Sequence, residues 1–198
     1  MRRLSVLAAV AVLFATSLAA PAARAAALKI GAPAPDFTLP AASDGKAVAL
    51  KDLLAKSKAV AVVFVATKCP VSNAYNTRMA ALGREYAAKG IPLVGINSNK
   101  TEPATEVKEH AEKHGFTFPL LKDDGNRIAD AYGATRTPEV FVLDPKGNLL
   151  YHGRIDENQD DPQGVKSPDL RNALDAILSG RPVPAAETKA FGCTIKRV

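Results

Sequence analysis

The sequence predicts an α/β domain built on a central mixed β-sheet flanked by helices and preceded by an N-terminal hairpin. Three observations carry this. Ala59–Ala66 is a run of eight apolar residues, too short for a helix buried on all sides and suited to a strand covered on both faces. Val71, Tyr75, Met79, Leu82 and Tyr86 then recur at steps of four, four, three and four, marking one face of an amphipathic helix that Lys89-Gly90 ends. Ile91–Ile96 returns as a second apolar strand, and a strand–helix–strand succession of this length is a right-handed crossover joining parallel strands.

The other elements follow in order. Ile30–Pro40 is a proline-punctuated approach to Phe37-Thr38-Leu39, and Asp44-Gly45-Lys46 gives turn chemistry before Val48-Ala49-Leu50, so the two segments pair as the hairpin. Beyond Ile96 come a polar helix over about Glu102–Lys113, an apolar run Phe116–Leu121 and a short helix Arg127–Tyr132. Pro138 opens the strand Val140–Leu143, Pro145-Lys146-Gly147 turns the chain, and Leu149–Ile155 runs back antiparallel. A last helix over about Pro168–Leu178 ends at Gly180.

A chain of 198 residues, 47% of them apolar, holds one well-cored domain plus tails. We divide it into a leader at 1–25, the domain at 28–180 and a C-terminal tail at 181–198. The leader has a basic start (Met1-Arg2-Arg3), a mostly apolar stretch Leu4–Ala20 and the small-x-small pattern Ala23-Arg24-Ala25, the features of a cleaved export signal. The expected location is therefore exported, periplasmic in a Gram-negative source, with no stable membrane insertion once the leader is removed. Without Arg2, Arg3 and Arg24 the 26 basic residues fall to 23 against 20 acidic ones, a balance that gives no case for nucleic-acid binding.

The chain has two cysteines, Cys69 and Cys193, both in the exported part, where disulfides persist. Two cysteines so far apart in a self-coring domain point to redox chemistry over stapling. Thr67-Lys68-Cys69-Pro70 lies between the buried strand and the amphipathic helix, which puts Cys69 at the N-cap with Pro70 at the first helical position. Unpaired N–H groups there, with Lys68 adjacent, favour the thiolate and make Cys69 the expected nucleophile.

Three separated segments carry a family resemblance: IGAPAPDFTLP at 30–40, FPLLKDDGNRIADAYG at 118–133 and TPEVFVLDPKG at 137–147. In them the chain resembles the thioredoxin-like superfamily in its peroxiredoxin branch, the AhpC/TSA redoxins, over about residues 28–180. The resemblance implies a thioredoxin-like fold and a thiol-based oxidoreductase. Its substrate would be a protein disulfide or a peroxide, its partner a thiol reductant, and it would need no cofactor beyond the thiols.

The site departs from both parents of that resemblance. Ser72 stands where thioredoxins have the second cysteine, leaving a Cys-x-x-Ser motif whose hydroxyl is offered to the thiolate. Thr67 lies two residues before Cys69, and the position of the peroxiredoxin arginine is taken by Pro138, which looks like thioredoxin's cis-proline. A cis Thr137–Pro138 bond would turn the Thr137 backbone toward Cys69 and leave an edge for an extended substrate. Arg154, or else Arg136, is expected to replace the missing arginine. His110 and His114, four apart, and the acidic residues Asp156, Glu157, Asp160 and Asp161 read as solvated faces, not metal sites.

Cys193 is the expected resolving thiol. The tail must regain roughly 16 Å along the last helix, and the stretch from Gly180 to Cys193 reaches about 40 Å extended; Phe191-Gly192 supplies an apolar anchor and a hinge. An intramolecular Cys69–Cys193 disulfide is therefore expected on oxidation, with the tail released or repositioned on reduction. The alternative from another class is a non-catalytic binding module or copper-handling protein on the same fold.

Overall fold

The structure, a computed structural model, describes residues 28–198; the leader lies outside the described residues. β1 (Thr38–Pro40) and β2 (Ala47–Ala49) form the antiparallel hairpin, with Leu39 opposite Val48. Leu50 does not continue β2 as expected but opens a short helix, α1 (Leu50–Leu54), because Leu50 and Leu54, one helical turn apart, both reach the core.

The chain then enters β3 (Val60–Phe64), buried at every position. The expected helix after Cys69 is split into α2 (Pro70–Ala74) and α3 (Asn76–Ala88). At the break, Tyr75 N–H turns to the carbonyl of Ser72, a tighter 3₁₀-like bond, while Tyr75's hydroxyl is drawn to Asp156. β4 (Leu93–Asn97), α4 (Ala104–Lys113), β5 (Leu120–Lys122) and α5 (Arg127–Tyr132) follow. The tail end of the domain comprises β6 (Arg136–Thr137), β7 (Glu139–Leu143), β8 (Leu149–Gly153), α6 (Asp169–Leu178) and β9 (Cys193–Thr194). The polar helix starts two residues later than expected, since a residue before proline is disfavoured in helix and Glu102 precedes Pro103.

The main sheet has the order β5-β4-β3-β7-β8, with β3, β4 and β5 parallel and β7 and β8 antiparallel. This is a thioredoxin-like α/β fold. Alternation along β3 divides the core. Ala61 and Val63 face Tyr75, Met79, Leu82 and Tyr86 of α2–α3 together with α6, whereas Val60, Val62 and Phe64 face α1, α5 and the hairpin. Both faces are dry, which is why β3 reads as an unbroken apolar run.

The tail is packed against this body along its length. His152 N–H donates to Ala186 O and Thr188 N–H to His152 O, both at 2.9 Å, so the tail first lines β8. It then forms β9 against β6 and sends Ile195, 3% exposed, into the core face shared with Phe64 and Tyr132. Burying such a side chain contributes roughly 1.5–3 kcal/mol. Lys196 and Val198 N–H groups donate to the side-chain oxygens of Asn99 and Asn126 at 2.7 and 2.9 Å, finishing the strap.

Candidate active site

Cys69 is the N-cap of α2, extended at φ −86° and ψ 115°, with Pro70 next. Its Sγ receives the Ser72 N–H at 3.3 Å, and the residue is 3% exposed. Ser72 thus serves the sulfur through its backbone; its hydroxyl accepts from Ala66 N–H at 3.2 Å and braces the strand-to-helix turn. Thr67 does not aim its hydroxyl at Cys69 either, but donates it to Glu106. Lys68 was expected to lend charge to the thiol; its ammonium is instead paired with Glu106 at 2.8 Å and bonded to Thr101 O at 2.9 Å.

Across from Cys69 the Thr137–Pro138 bond is cis, the geometry the resemblance implies, and Thr137 O lies 3.3 Å from Cys69 Sγ. β9 occupies the edge beside it: Cys193 pairs with Thr137 and Thr194 with Arg136. Cys69 and Cys193 are joined in a disulfide with a Cα–Cα distance of 5.8 Å, inside the range a disulfide requires. Gly192, at φ 132°, makes this approach possible, since a Cβ there would collide with the Thr137 carbonyl.

The two arginines have other partners. Arg154 Nε donates to Asp169 Oδ2 at 2.6 Å, and this bond holds the guanidinium above its ordinary pKa. Arg136 Nη1 reaches Gly192 O at 3.4 Å and Thr194 Oγ1 at 3.1 Å, bracketing Cys193. Asp156 binds the hydroxyl of Tyr75 at 2.9 Å and the guanidinium of Arg78 at 2.7 Å, fixing the loop after β8 to the helix that follows Cys69. Burial first, and then that carboxylate, raise the Tyr75 phenol above its usual range. The rings of His110 and His114 lie 4.5 Å apart. Among the described residues no group of three or more His, Cys, Asp or Glu side chains is arranged to hold a metal ion.

Two buried carboxylates that sequence reasoning missed hold the two halves of the site. Glu102, 1% exposed, accepts from the N–H groups of Thr67 and Lys68 at 2.8 and 3.1 Å and from the amides of Asn97 and Asn99 at 2.5 and 2.9 Å. Burial alone would raise its carboxyl, but the Thr67 N–H and the amides outweigh burial and hold it below the ordinary range. Glu139 accepts from the N–H groups of Thr135 and Arg136 at 2.8 and 2.9 Å and contacts His152 Nε2 at 2.7 Å. One carboxylate thus pins the loop before Cys69, the other the loop before Pro138. The position of Glu102 directly before Pro103 was the available signal that it lies outside the helix.

Residues 30–152 match the model of the AhpC/TSA family. The thiol-disulfide oxidoreductase ResA of Bacillus thuringiensis (strain Al Hakam) is 31% identical over 123 residues, covering 62% of this chain and 68% of that protein. The chain spans 58% and 68% of the length of the first two curated relatives of that name. Among solved structures, a hypothetical protein from Sinorhizobium meliloti 1021 superposes with a TM-score of 0.81 at 34% identity, covering 87% of this chain and 97% of that one. Peroxidoxin BcpB from Mycobacterium tuberculosis superposes with a TM-score of 0.62 at 25% identity, covering 77% and 97%.

Proposed function

This chain belongs to the AhpC/TSA family, and from that premise we propose that it is a thiol-based oxidoreductase whose working pair is Cys69 and Cys193, cycling between dithiol and intramolecular disulfide. The observation that carries this reading is the placing of Cys193 opposite Thr137, on the strand edge beside cis-Pro138, joined to Cys69. In the reduced enzyme the Ser72 N–H stabilises the Cys69 thiolate. That thiolate attacks one sulfur of a substrate disulfide and expels the other as thiolate. Cys193 then attacks the Cys69 sulfur of the mixed disulfide, releasing the second substrate thiol and leaving the Cys69–Cys193 bond. Two electrons pass to the substrate, and an external thiol returns them.

A second reading has a specific observation in its favour. β9 fills the edge of β6 where an extended polypeptide would pair, whereas a peroxide need not displace it. With a peroxide, Cys69 takes one oxygen as sulfenic acid and releases water or an alcohol; Cys193 then expels that oxygen as water, giving the same disulfide. The domain at 28–180 carries the nucleophile and the tail at 181–198 the resolving thiol. We place the enzyme outside the cytoplasm, with the leader at 1–25 removed. Among the described residues no helix is long and apolar enough to cross a membrane.

Turnover of a model disulfide and of hydrogen peroxide by the wild type, Cys69→Ser and Cys193→Ser tests the pair. Cys69→Ser is expected to lose turnover with the true substrate, and Cys193→Ser to stop after one equivalent as a mixed disulfide or sulfenic acid. Wild-type turnover by Cys69→Ser would sink the reading.

A further inference from the structure

A free strand edge recognises an extended polypeptide through its row of backbone N–H and C=O groups. The edge of β6 leading to cis-Pro138 is taken by the chain's own tail. Cys193 stands opposite Thr137, Thr194 stands opposite Arg136, and Ile195 N–H donates to Thr135 O at 3.1 Å. Gly192 crosses the Thr137 carbonyl so closely that a Cβ there would collide with it. Bonded through Cys193 to Cys69, the tail has the pose of a polypeptide caught in a mixed disulfide with that cysteine.

Contacts on both sides of Cys193 hold this pose without passing through the disulfide. Upstream, Thr188 Oγ1 accepts from Arg154 N–H at 3.0 Å and meets the Tyr151 hydroxyl at 2.8 Å, and the Phe191 ring stands 6.4 Å from that of Tyr75. Downstream, Ile195 is 3% exposed in the core face of Phe64 and Tyr132. Arg197 then bonds Asp130 and the Ala134 carbonyl, each at 2.7 Å. Opening the Cys69–Cys193 bond breaks none of these. A polypeptide that needs the β6 edge therefore reacts only from the fraction of molecules whose tail is displaced, and its apparent affinity is scaled down by that fraction. A small molecule makes no strand pairing and carries no such factor.

Resting on the reading of Cys69 and Cys193 as the working pair, we propose that Ile195 is a specificity-determining residue: by keeping the tail on β6 in both redox states, it favours low-molecular-weight disulfides and peroxides over polypeptide disulfides. The step under selection is a single exchange. The Cys69 thiolate forms a bond to one substrate sulfur as the substrate's S–S bond breaks, and the electron pair of that bond leaves on the other sulfur as thiolate. Ile195 acts on this step through the position of the tail and touches none of the reacting atoms.

The experiment traps that step in full-length, reduced Cys193→Ser, with and without Ile195→Ala. Each protein is mixed with oxidised glutathione or with insulin, quenched in acid, and read by intact mass spectrometry for the mixed disulfide on Cys69. The quantity measured is the ratio of the insulin rate to the glutathione rate. Truncating a buried isoleucine raises the displaced fraction, so the ratio is expected to rise about 30-fold or more with Ile195→Ala. Ile195→Val, a milder truncation that keeps the core filled, is expected to raise it about threefold. A ratio that stays the same in both variants, with circular dichroism showing the domain folded, overturns the proposal. Failure of the underlying reading shows separately: the reduced wild type, treated with oxidised glutathione, would then end without a Cys69–Cys193 disulfide.

Discussion

Ile195→Ala in the reduced protein should free Cys193 without unfolding the domain. Ile195 is 3% exposed and packs in the same core face as Phe64, Leu121 and Tyr132. Its own N–H donates to Thr135 O at 3.1 Å, and the next residues are held by Asn99 and Asn126. None of these contacts involves the disulfide, so, in place of the release or repositioning expected from the sequence, the strap is expected to stay docked when the bond is reduced. Truncating a buried isoleucine to alanine costs about 2–4 kcal/mol. At about 1.4 kcal/mol per tenfold, the undocked population of the tail rises roughly 30- to 700-fold. The assay is the rate of N-ethylmaleimide labelling at Cys193, read by mass spectrometry on fully reduced protein, with far-ultraviolet circular dichroism to show that the domain is intact. Cys193 in the reduced wild type should label slowly, and the variant should approach the rate of an unstructured thiol. Equal, fast labelling of Cys193 in both proteins would refute the reasoning and mean that reduction alone releases the tail.

Two further outcomes follow from buried ionisable groups. Glu102→Gln keeps the size of the side chain but leaves at least one of four donors facing an amide; with charge-assisted bonds worth about 1.5–3 kcal/mol each, stability should fall by about 2–4 kcal/mol. A urea midpoint shift equivalent to less than about 0.5 kcal/mol, at unchanged slope, would contradict this. Burial, then the adjacent His114, pushes His110 down from 6.5 to about 4, so between these values the unfolded chain binds the proton and the folded chain does not. Stability should drop as the pH falls through this window, by on the order of 2 kcal/mol. His110→Gln should flatten that loss; an unchanged loss between pH 7 and pH 4.5 would argue against it.

The layers of the fold were legible because they rest on patterns repeated over many residues. The unbroken apolar run at 59–66 could only be a strand covered on both faces, and the spacing from Val71 to Tyr86 could only bury one side of a helix. Leu50 was misplaced into the hairpin because two or three apolar residues fit a strand end and a helix start equally well; the site's occupants on the core face decided it. The break at Tyr75 was likewise hidden, since its cause is a hydroxyl bond to Asp156, 81 positions away.

At the site, the sequence by itself determined that Cys69 would stand at a strand-to-helix turn with Pro70 behind it, because both facts follow from neighbouring residues. It also determined that Cys193 had chain enough to return. Only the tertiary structure decided how: as a strand on β6, made possible by the missing side chain of Gly192 and held by Ile195 in the core. The tertiary structure also decided that Lys68 and Thr67 turn to Glu106, that Arg154 turns to Asp169, and that Glu102 and Glu139 brace the two loops. Periodicity reports which side of an element is apolar, whereas a charged or polar side chain takes whichever partner the fold brings within about 3 Å. Apart from Glu139, whose N–H donors are three and four residues away, those partners lie 15 to 39 positions apart in the chain, so their pairing exists only once the sheet and its two covering layers have assembled.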